Sequence, residues 1–458
     1  MQKLFRLLVC LLPLWISSEE LEVSLPTRSE LPLLYISALE TDASGYDWRY
    51  LDELRSSLEF DLATCGGCSI APQKVEWDEL LPIHDHRKHF HLTFWKKHNI
   101  PYILHLQSAN GRFSVTAFQV GKSASKKYPD FALTHDLNLD RDCIHHIADM
   151  IQKDLFQIRG ISSLKIIYTK RTKNDASEWL SEVWVCDSNG ANPRQVTKEN
   201  NYCLSPSFLP KQQADADFFF VSHKGGQSKI YKASFGHPVA VPMVQLRGNQ
   251  LLPAMSSKGT HMAFISDVAG RPDLFVQHFD TSGNMVGKAR QLFSAPRATQ
   301  ASPTFSPNAR EVAFVSDKDG PPRIYILPLA ALKNTQKLNP RLVTKKNREN
   351  TSPCWSPDGK KIAYSAKVDG VRQIWMYDIE KEEEIQLTTG PEHKENPSWA
   401  PNSFHLVYNT ESEDSCELYQ LNLAQQIPVR ISKGPGQKRF PSWEPTFVHL
   451  HERLKEFQ

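Results

Sequence analysis

The sequence predicts an all-β six-bladed β-propeller preceded by a small α/β domain. Three observations carry that prediction. A Pro-x-aromatic phrase recurs through the second half of the chain, its first proline at positions 206, 253, 303, 353, 397 and 441, 44 to 50 residues apart. A period of about 40–50 residues built from short strands is the spacing of propeller blades. Between the copies lie short apolar runs punctuated by turn residues, and ahead of them apolar residues fall at helical spacing.

In chain order, residues 1–18 read as an export signal. Lys3 and Arg6 give a basic start, Leu7 to Ile16 is an apolar run, and Ser17-Ser18 stands before Glu19-Glu20. Cleavage is expected near Ser18. The run is shorter than the roughly 18–20 residues that cross a bilayer, and no later stretch reaches that length, so an integral membrane protein is not expected. Lys and Arg number 54 against 51 Asp and Glu, a net charge of +3, which argues against nucleic acid as partner. Eight cysteines over 458 residues are too sparse for a disulfide scaffold.

Residues 19–160 predict the α/β domain. Leu33-Leu34-Tyr35-Ile36 reads as a buried strand, and Leu51, Leu54, Leu58 and Leu62 as one helix face, stopped by Gly66-Gly67. Cys65 and Cys68 flank those glycines; a local disulfide or two thiols both fit, better than redox catalysis or zinc. His84, His86, His89 and His91 lie in a charged stretch that reads as an exposed polar loop rather than a metal site. Asn110-Gly111 separates two strands and signals a hairpin, since both residues accept positive φ. Ile144, Ile147, Ile151, Leu155 and Ile158 form the face of a second helix, with Asp140 as its expected N-cap. The expectation is helices on one face of a short sheet.

Residues 163–445 predict the propeller and 446–458 a tail. After Trp355-Ser356-Pro357 comes the turn Asp358-Gly359, then strands at Ile362–Ser365, Ile374–Asp378 and Ile385–Thr388. A proline in the first strand is tolerated where that strand is an inner edge lining a channel, and the aromatic two residues later would fill the wedge between blades. The last copy, ending at Pro445, has no strands after it, whereas Leu164–Tyr168, Val183–Cys186 and Arg194–Thr197 have no first strand. Pairing them would close the ring and remove free edges. Asp317-Lys318-Asp319-Gly320 lacks the later glutamate of a calcium loop and reads as a turn.

No enzyme is predicted. There is no G-x-S-x-G elbow, as Gly226-Gln227-Ser228-Lys229-Ile230 breaks at its last position, and no P-loop, dinucleotide fingerprint or H-E-x-x-H occurs. No cofactor or metal is expected. Two other readings stay open: a propeller hydrolase or lyase, and a secreted propeller that binds carbohydrate or metal.

The phrase S-P-x-[WF]-S-P-D-G-x-x-[IV]-A-[FY], seen at 352–364 and 302–314, resembles the TolB propeller repeat. The terminal Phe440-Pro441-Ser442-Trp443-Glu444-Pro445 resembles that family's closing motif. The resemblance implies a periplasmic component of the Tol–Pal envelope system that supports outer-membrane integrity and division. It implies binding of the peptidoglycan-associated lipoprotein at one channel mouth, and contact with TolA through an N-terminal segment near Glu22-Val23-Ser24-Leu25. The chain departs from the pattern at Glu444, where serine is usual, and at Met255, where the aromatic is lost. The Cys65/Cys68 pair and the histidine cluster are also unlike the family. Residues just before each Pro-x-aromatic strand should form the loops of one mouth: Asn201, Tyr202, Asn249, Gln250, Thr299, Gln300, Glu349, Asn350, His393, Glu395, Lys438 and Arg439. The resemblance implies that this is the lipoprotein-binding end.

Overall fold

The computed structural model describes residues 31–42, 45–81, 92–210, 217–236, 239–330, 339–412 and 415–445. The expected export signal, Glu22–Leu25, the histidine cluster at 84–91 and the tail from 446 lie outside the described residues.

Six four-stranded antiparallel sheets make the propeller. Blade 4 shows the plan: Asn350–Trp355, Lys361–Val368, Val371–Asp378 and Glu383–Gln386, from channel to rim. The sixth blade is built from both ends of the repeat region. Gln437–Trp443 is its inner strand and pairs with Lys165–Lys173, which is followed by Trp179–Asp187 and Arg194–Gln195.

Each part of the repeated phrase has one structural task. The six prolines 206, 253, 303, 353, 397 and 441 line a narrow central cavity of about 150 Å³, where the inner strand has no ladder partner for a missing N–H. The residue before each proline holds positive φ: Ser205 47°, Leu252 49°, Ser302 44°, Ser352 51°, Asn396 53° and Phe440 53°. The ladder to the second strand slips at these positions in all six blades. The inner strand is therefore bulged around every X-Pro, and the bulge bends it around the channel. The aromatic then packs on the preceding blade, Trp355 against Val315 and Ile326, and Trp399 against Ile374 and Met376. The small polar residue between proline and aromatic ties neighbours together: Thr304 Oγ1 accepts from Trp355 N at 3.2 Å, and Ser398 Oγ from Trp443 N at 3.3 Å. In the turn that follows, Ser356 Oγ accepts from Lys361 N and Asp358 Oδ1 from Lys360 N, both at 2.9 Å, with Gly359 at φ 77°.

The N-terminal unit is a mixed sheet in the order Ser69–Ile70, Leu33–Thr41, Tyr102–Ala109, Arg112–Gln119, Ala124–Lys127, with Phe131–Ala132 also on Arg112–Gln119. The Asn110-Gly111 turn adopts φ of 52° and 69°, as its sequence predicts. The helix Trp48–Ala63 buries Leu51, Leu54, Leu58 and Leu62 against one sheet face, beside the helix Leu137–Phe156.

Three expectations need correction. The long helix starts at Leu137, one turn earlier than predicted, and its N-cap is Asp136, whose carboxylate accepts from Asn138 N and Leu139 N. Asp140 instead accepts from Thr134 N and the Tyr50 hydroxyl. Ile158 lies beyond the helix, which Gln157 ends in the left-handed conformation at φ 57°. The other sheet face is covered as well. Tyr35, Trp95 and Ile103 are buried there with the short helices Val75–Asp78 and Leu92–Lys97. Those helices hold fewer residues than periodicity needs to be recognised.

In such blades the turns joining first to second and third to fourth strands lie on one face. The turns joining second to third strands, and the links between blades, lie on the other. The N-terminal unit docks on the first face. Thr64 O accepts from His405 Nε2 and Asn422 Nδ2, both at 3.0 Å, and Arg159 O from Asn402 Nδ2 at 2.9 Å. Lys165 Nζ bridges Asp142 of the long helix (2.6 Å) and Asp187 of blade 6 (2.7 Å). His145 Nδ1 lies 2.6 Å from Asp61, with its Nε2 3.9 Å from Asp187. The opposite mouth is left free of the N-terminal unit's described docking contacts.

Candidate interaction site at the channel mouth

The free mouth is built from the links between blades and the turns between second and third strands. The residue two places before each proline, Leu204, Leu251, Ala301, Thr351, Glu395 and Arg439, is half-buried in every blade. At this position blades 1 to 3 carry apolar side chains, packed against the cores between blades, and blades 4 to 6 polar or charged ones.

The charged half is internally paired. Arg372 Nε lies 3.0 Å from Glu395, and its Nη1 donates to Thr351 Oγ1 at 3.2 Å. Arg439 pairs with Glu411 and donates from Nε to Cys416 Sγ at 3.4 Å. Burial pushes the Glu411 carboxyl up and the Glu395 charge adds to this, while Arg439 opposes it. At the rim between blades 6 and 1 the Arg171 guanidinium sits 4.3 Å from the Trp179 ring centroid and 6.0 Å from that of Tyr202. Tyr202 is 39% exposed. A planar cation held between rings is fixed in orientation, at about 0.5–1 kcal/mol for an exposed contact.

The twelve residues expected at this mouth divide into two groups. Gln250, Gln300, Asn350 and Lys438 are at most 1% exposed, so their side chains are corrected from partner-facing to structural. Each starts or nearly starts an inner strand, where the side chain turns into the blade. Gln250 accepts from Ile230 N at 3.1 Å and donates to Leu246 O at 3.0 Å, joining blades 1 and 2. Gln300 Oε1 accepts from Ser316 Oγ (2.7 Å), Asn350 Nδ2 donates to Asn347 O (2.8 Å), and Lys438 Nζ pairs with Glu417 at 3.0 Å. These bonds hold the buried groups inside the blades, though Asn350 Oδ1 has no partner, and freeing a bonded group would cost its desolvation.

The other eight are partly or fully exposed. Asn201 Oδ1 accepts from Tyr202 N at 2.7 Å. Asn249 Nδ2 donates to Asp267 at 2.6 Å, which holds that carboxyl below the usual range. Thr299 N donates to Asp317 at 2.6 Å, Glu349 lies 3.4 Å from Lys367, and His393 Nδ1 accepts from Arg372 N at 3.1 Å. The residues overlooked in the sequence are Asp267 and Asp317, in turns between second and third strands, and Arg171, Trp179, Arg372 and Glu411, at the strand ends beside such turns. A signal was present in Ser266-Asp267 and Ser316-Asp317, which end the second strand at the same point of successive repeats. Asp317-Lys318-Asp319-Gly320 is the turn itself: Asp317 Oδ1 takes Thr299 N, and Asp319 takes the Tyr325 hydroxyl at 2.9 Å.

A family profile described as the TolB beta propeller domain matches residues 152–447, well over half of the chain. The chain belongs to the TolB family. A "Protein TolB homolog" of Protochlamydia amoebophila is 41% identical over 290 residues, 62% of each chain. One of Chlamydia caviae is 36% identical over 289 residues, 62% of this chain and 61% of that protein. The match thus spans less than two thirds of these TolB relatives. The fold extends further than that. The crystal structure of TolB from Acinetobacter baumannii superposes with a TM-score of 0.71 over 91% of this chain and 97% of that one, at 21% identity. The TolB fold shared with that protein therefore takes in the region ahead of the propeller as well.

Proposed function

We propose that this TolB-family protein is a non-enzymatic interaction component of a Tol–Pal envelope system, exported to the periplasm. It binds the peptidoglycan-associated lipoprotein at the channel mouth, supports outer-membrane integrity and cell division, and contacts TolA through its N-terminal segment. The observation that carries the reading is the division of labour between the two faces. The N-terminal unit docks on one face, at blades 5 and 6, and the other gathers an exposed Tyr202, Arg171 against Trp179, and inner-strand positions split between apolar and charged residues. Aromatic and arginine side chains around a desolvated centre are the usual anchors of a protein interface. The mouth carboxylates are tied to arginine, lysine and asparagine, which suits recognition better than proton transfer. Among the described residues no helix is long and apolar enough to cross a membrane.

Calorimetry with the soluble domain of the lipoprotein tests the proposal. Intact protein should bind, and Ala301→Arg, which puts a charge among the apolar inner-strand positions, should weaken binding by about 2 kcal/mol. Tyr202→Ala should weaken it roughly tenfold. Folded intact protein that fails to bind the domain overturns the reading.

A further inference from the structure

The loop that carries the domain interface also carries two sulfurs that neither the mouth nor the blades use. Cys65 and Cys68 are both buried, at 2% and 0% exposure. They follow the helix Trp48–Ala63 and flank Gly66, at φ 76°, and Gly67. Both sulfurs belong to the same buried cluster of the N-terminal unit. Cys65 Sγ accepts from Gly67 N at 3.3 Å, and the Cys68 thiol donates to Leu62 O at 3.4 Å. The remaining five described cysteines are dispersed through the long helix and the blades.

We infer that Cys65 and Cys68 are a modification site, an oxidisable pair whose disulfide staples the loop on which the propeller docks. The loop's carbonyls are the docking groups, since Thr64 O takes His405 and Asn422 while Cys68 O takes Gln425 Nε2 at 3.4 Å. A bond across the intervening glycines fixes those carbonyls relative to one another, where two glycines alone leave the chain most free. The two sulfurs are also unequal. The neighbouring Cys68 and the loop amides hold Cys65 below the ordinary thiol range, while Cys65 and burial push Cys68 well above it. Cys65 is thus the nucleophile.

The step balances with a small disulfide as oxidant. The Cys65 thiolate attacks one sulfur of the oxidant, and the displaced thiolate leaves with the Cys65 proton. Cys68 then loses its proton as its sulfur attacks Cys65 Sγ, and the second thiol departs. Two thiols become one disulfide, and one disulfide becomes two thiols. The site is closed in the docked protein. A Cβ at Gly66 would lie 2.7 Å from the Phe404 ring and 2.9 Å from Asn422 Oδ1, and one at Gly67 2.7 Å from Phe156. Exchange therefore requires the propeller face to lift away, and its rate reports that opening.

The full chain is incubated with oxidised glutathione, quenched in acid, unfolded and labelled with a maleimide, and its peptides are weighed. The expected result is a peptide in which Cys65 and Cys68 take label only after reduction, while Cys143, Cys186, Cys203, Cys354 and Cys416 take it directly. Direct labelling of both Cys65 and Cys68, or a lasting glutathione adduct on one of them, overturns the proposal. Oxidation should raise Tm in the parent and leave that of Cys68→Ser unchanged. Equal behaviour of the two contradicts the staple. Asn422→Ala, or the milder Gln425→Ala, should speed oxidation about tenfold by loosening the interface. An unchanged rate in both contradicts the closed site.

Discussion

The two halves of this protein reach stability by opposite routes. In the propeller a bulged X-Pro at the channel is used six times, an aromatic two residues later in five blades, and a serine-capped turn in blades 2, 3 and 4. In the N-terminal unit every element occurs once, and the unit is fastened to the ring through backbone carbonyls and the charged group Asp61, His145, Asp187, Lys165 and Asp142. A repeated solution tolerates local loss, as blade 2 does with Met255 in place of the aromatic, but depends on closure. A single interface depends on a handful of groups and can be tuned by them.

The largest effect should come from breaking closure. Removing residues 437–458 deletes the inner strand of blade 6, its pairing with Lys165–Lys173 and the buried Trp443. The expected loss exceeds about 5 kcal/mol, and the propeller should no longer unfold in one cooperative transition in denaturant. A truncated chain that unfolds like the parent would mean the ring does not need its clasp.

Next comes the interface. Lys165→Met leaves the buried Asp187 without its cation at 2.7 Å, and should cost roughly 2–3 kcal/mol, the usual penalty trimmed because Lys165 is partly exposed. The N-terminal unit should then melt ahead of the propeller in calorimetry. A single unshifted transition would show that the charged group does not hold the halves together.

A smaller effect should follow pH. Burial alone would lower His145, but Asp61 and Asp187 outweigh it and raise its pKa above the ordinary 6.5. Stability from this pair is therefore complete below about 6.5 and fades as pH rises through the raised value. The parent should lose interface stability as pH rises above about 6.5, and His145→Asn should show a flatter profile. Identical pH profiles would remove His145 from the account.

The same contrast explains what was legible beforehand. The blades could be read because proline, aromatic and turn residues recur at fixed offsets, so each copy supports the others. The long helix and the Asn110-Gly111 hairpin could be read from apolar spacing and turn chemistry. The left-handed residue before each proline could not, because Ser, Leu, Asn and Phe all occupy it and none announces positive φ. Gln250, Gln300, Asn350 and Lys438 were expected at the surface because they are polar and precede a strand. Whether such a side chain turns into the blade depends on carbonyls and carboxylates distant in sequence, such as Leu246 O for Gln250 and Glu417 for Lys438. Arg171 and Trp179 were overlooked because they belong to the one blade whose strands come from opposite ends of the chain.

The most direct test of the central claim, that one propeller face docks the N-terminal unit and the other receives a partner, is hydrogen exchange with and without the lipoprotein's soluble domain. Protection should rise in the segments leading into the inner strands, such as 201–205, 299–302 and 437–440, and in the 173–179 turn. The loop at 64–68 and the turn at 402–405 should be unchanged. Protection confined to the N-terminal unit, or to the 402–405 face, would contradict the account.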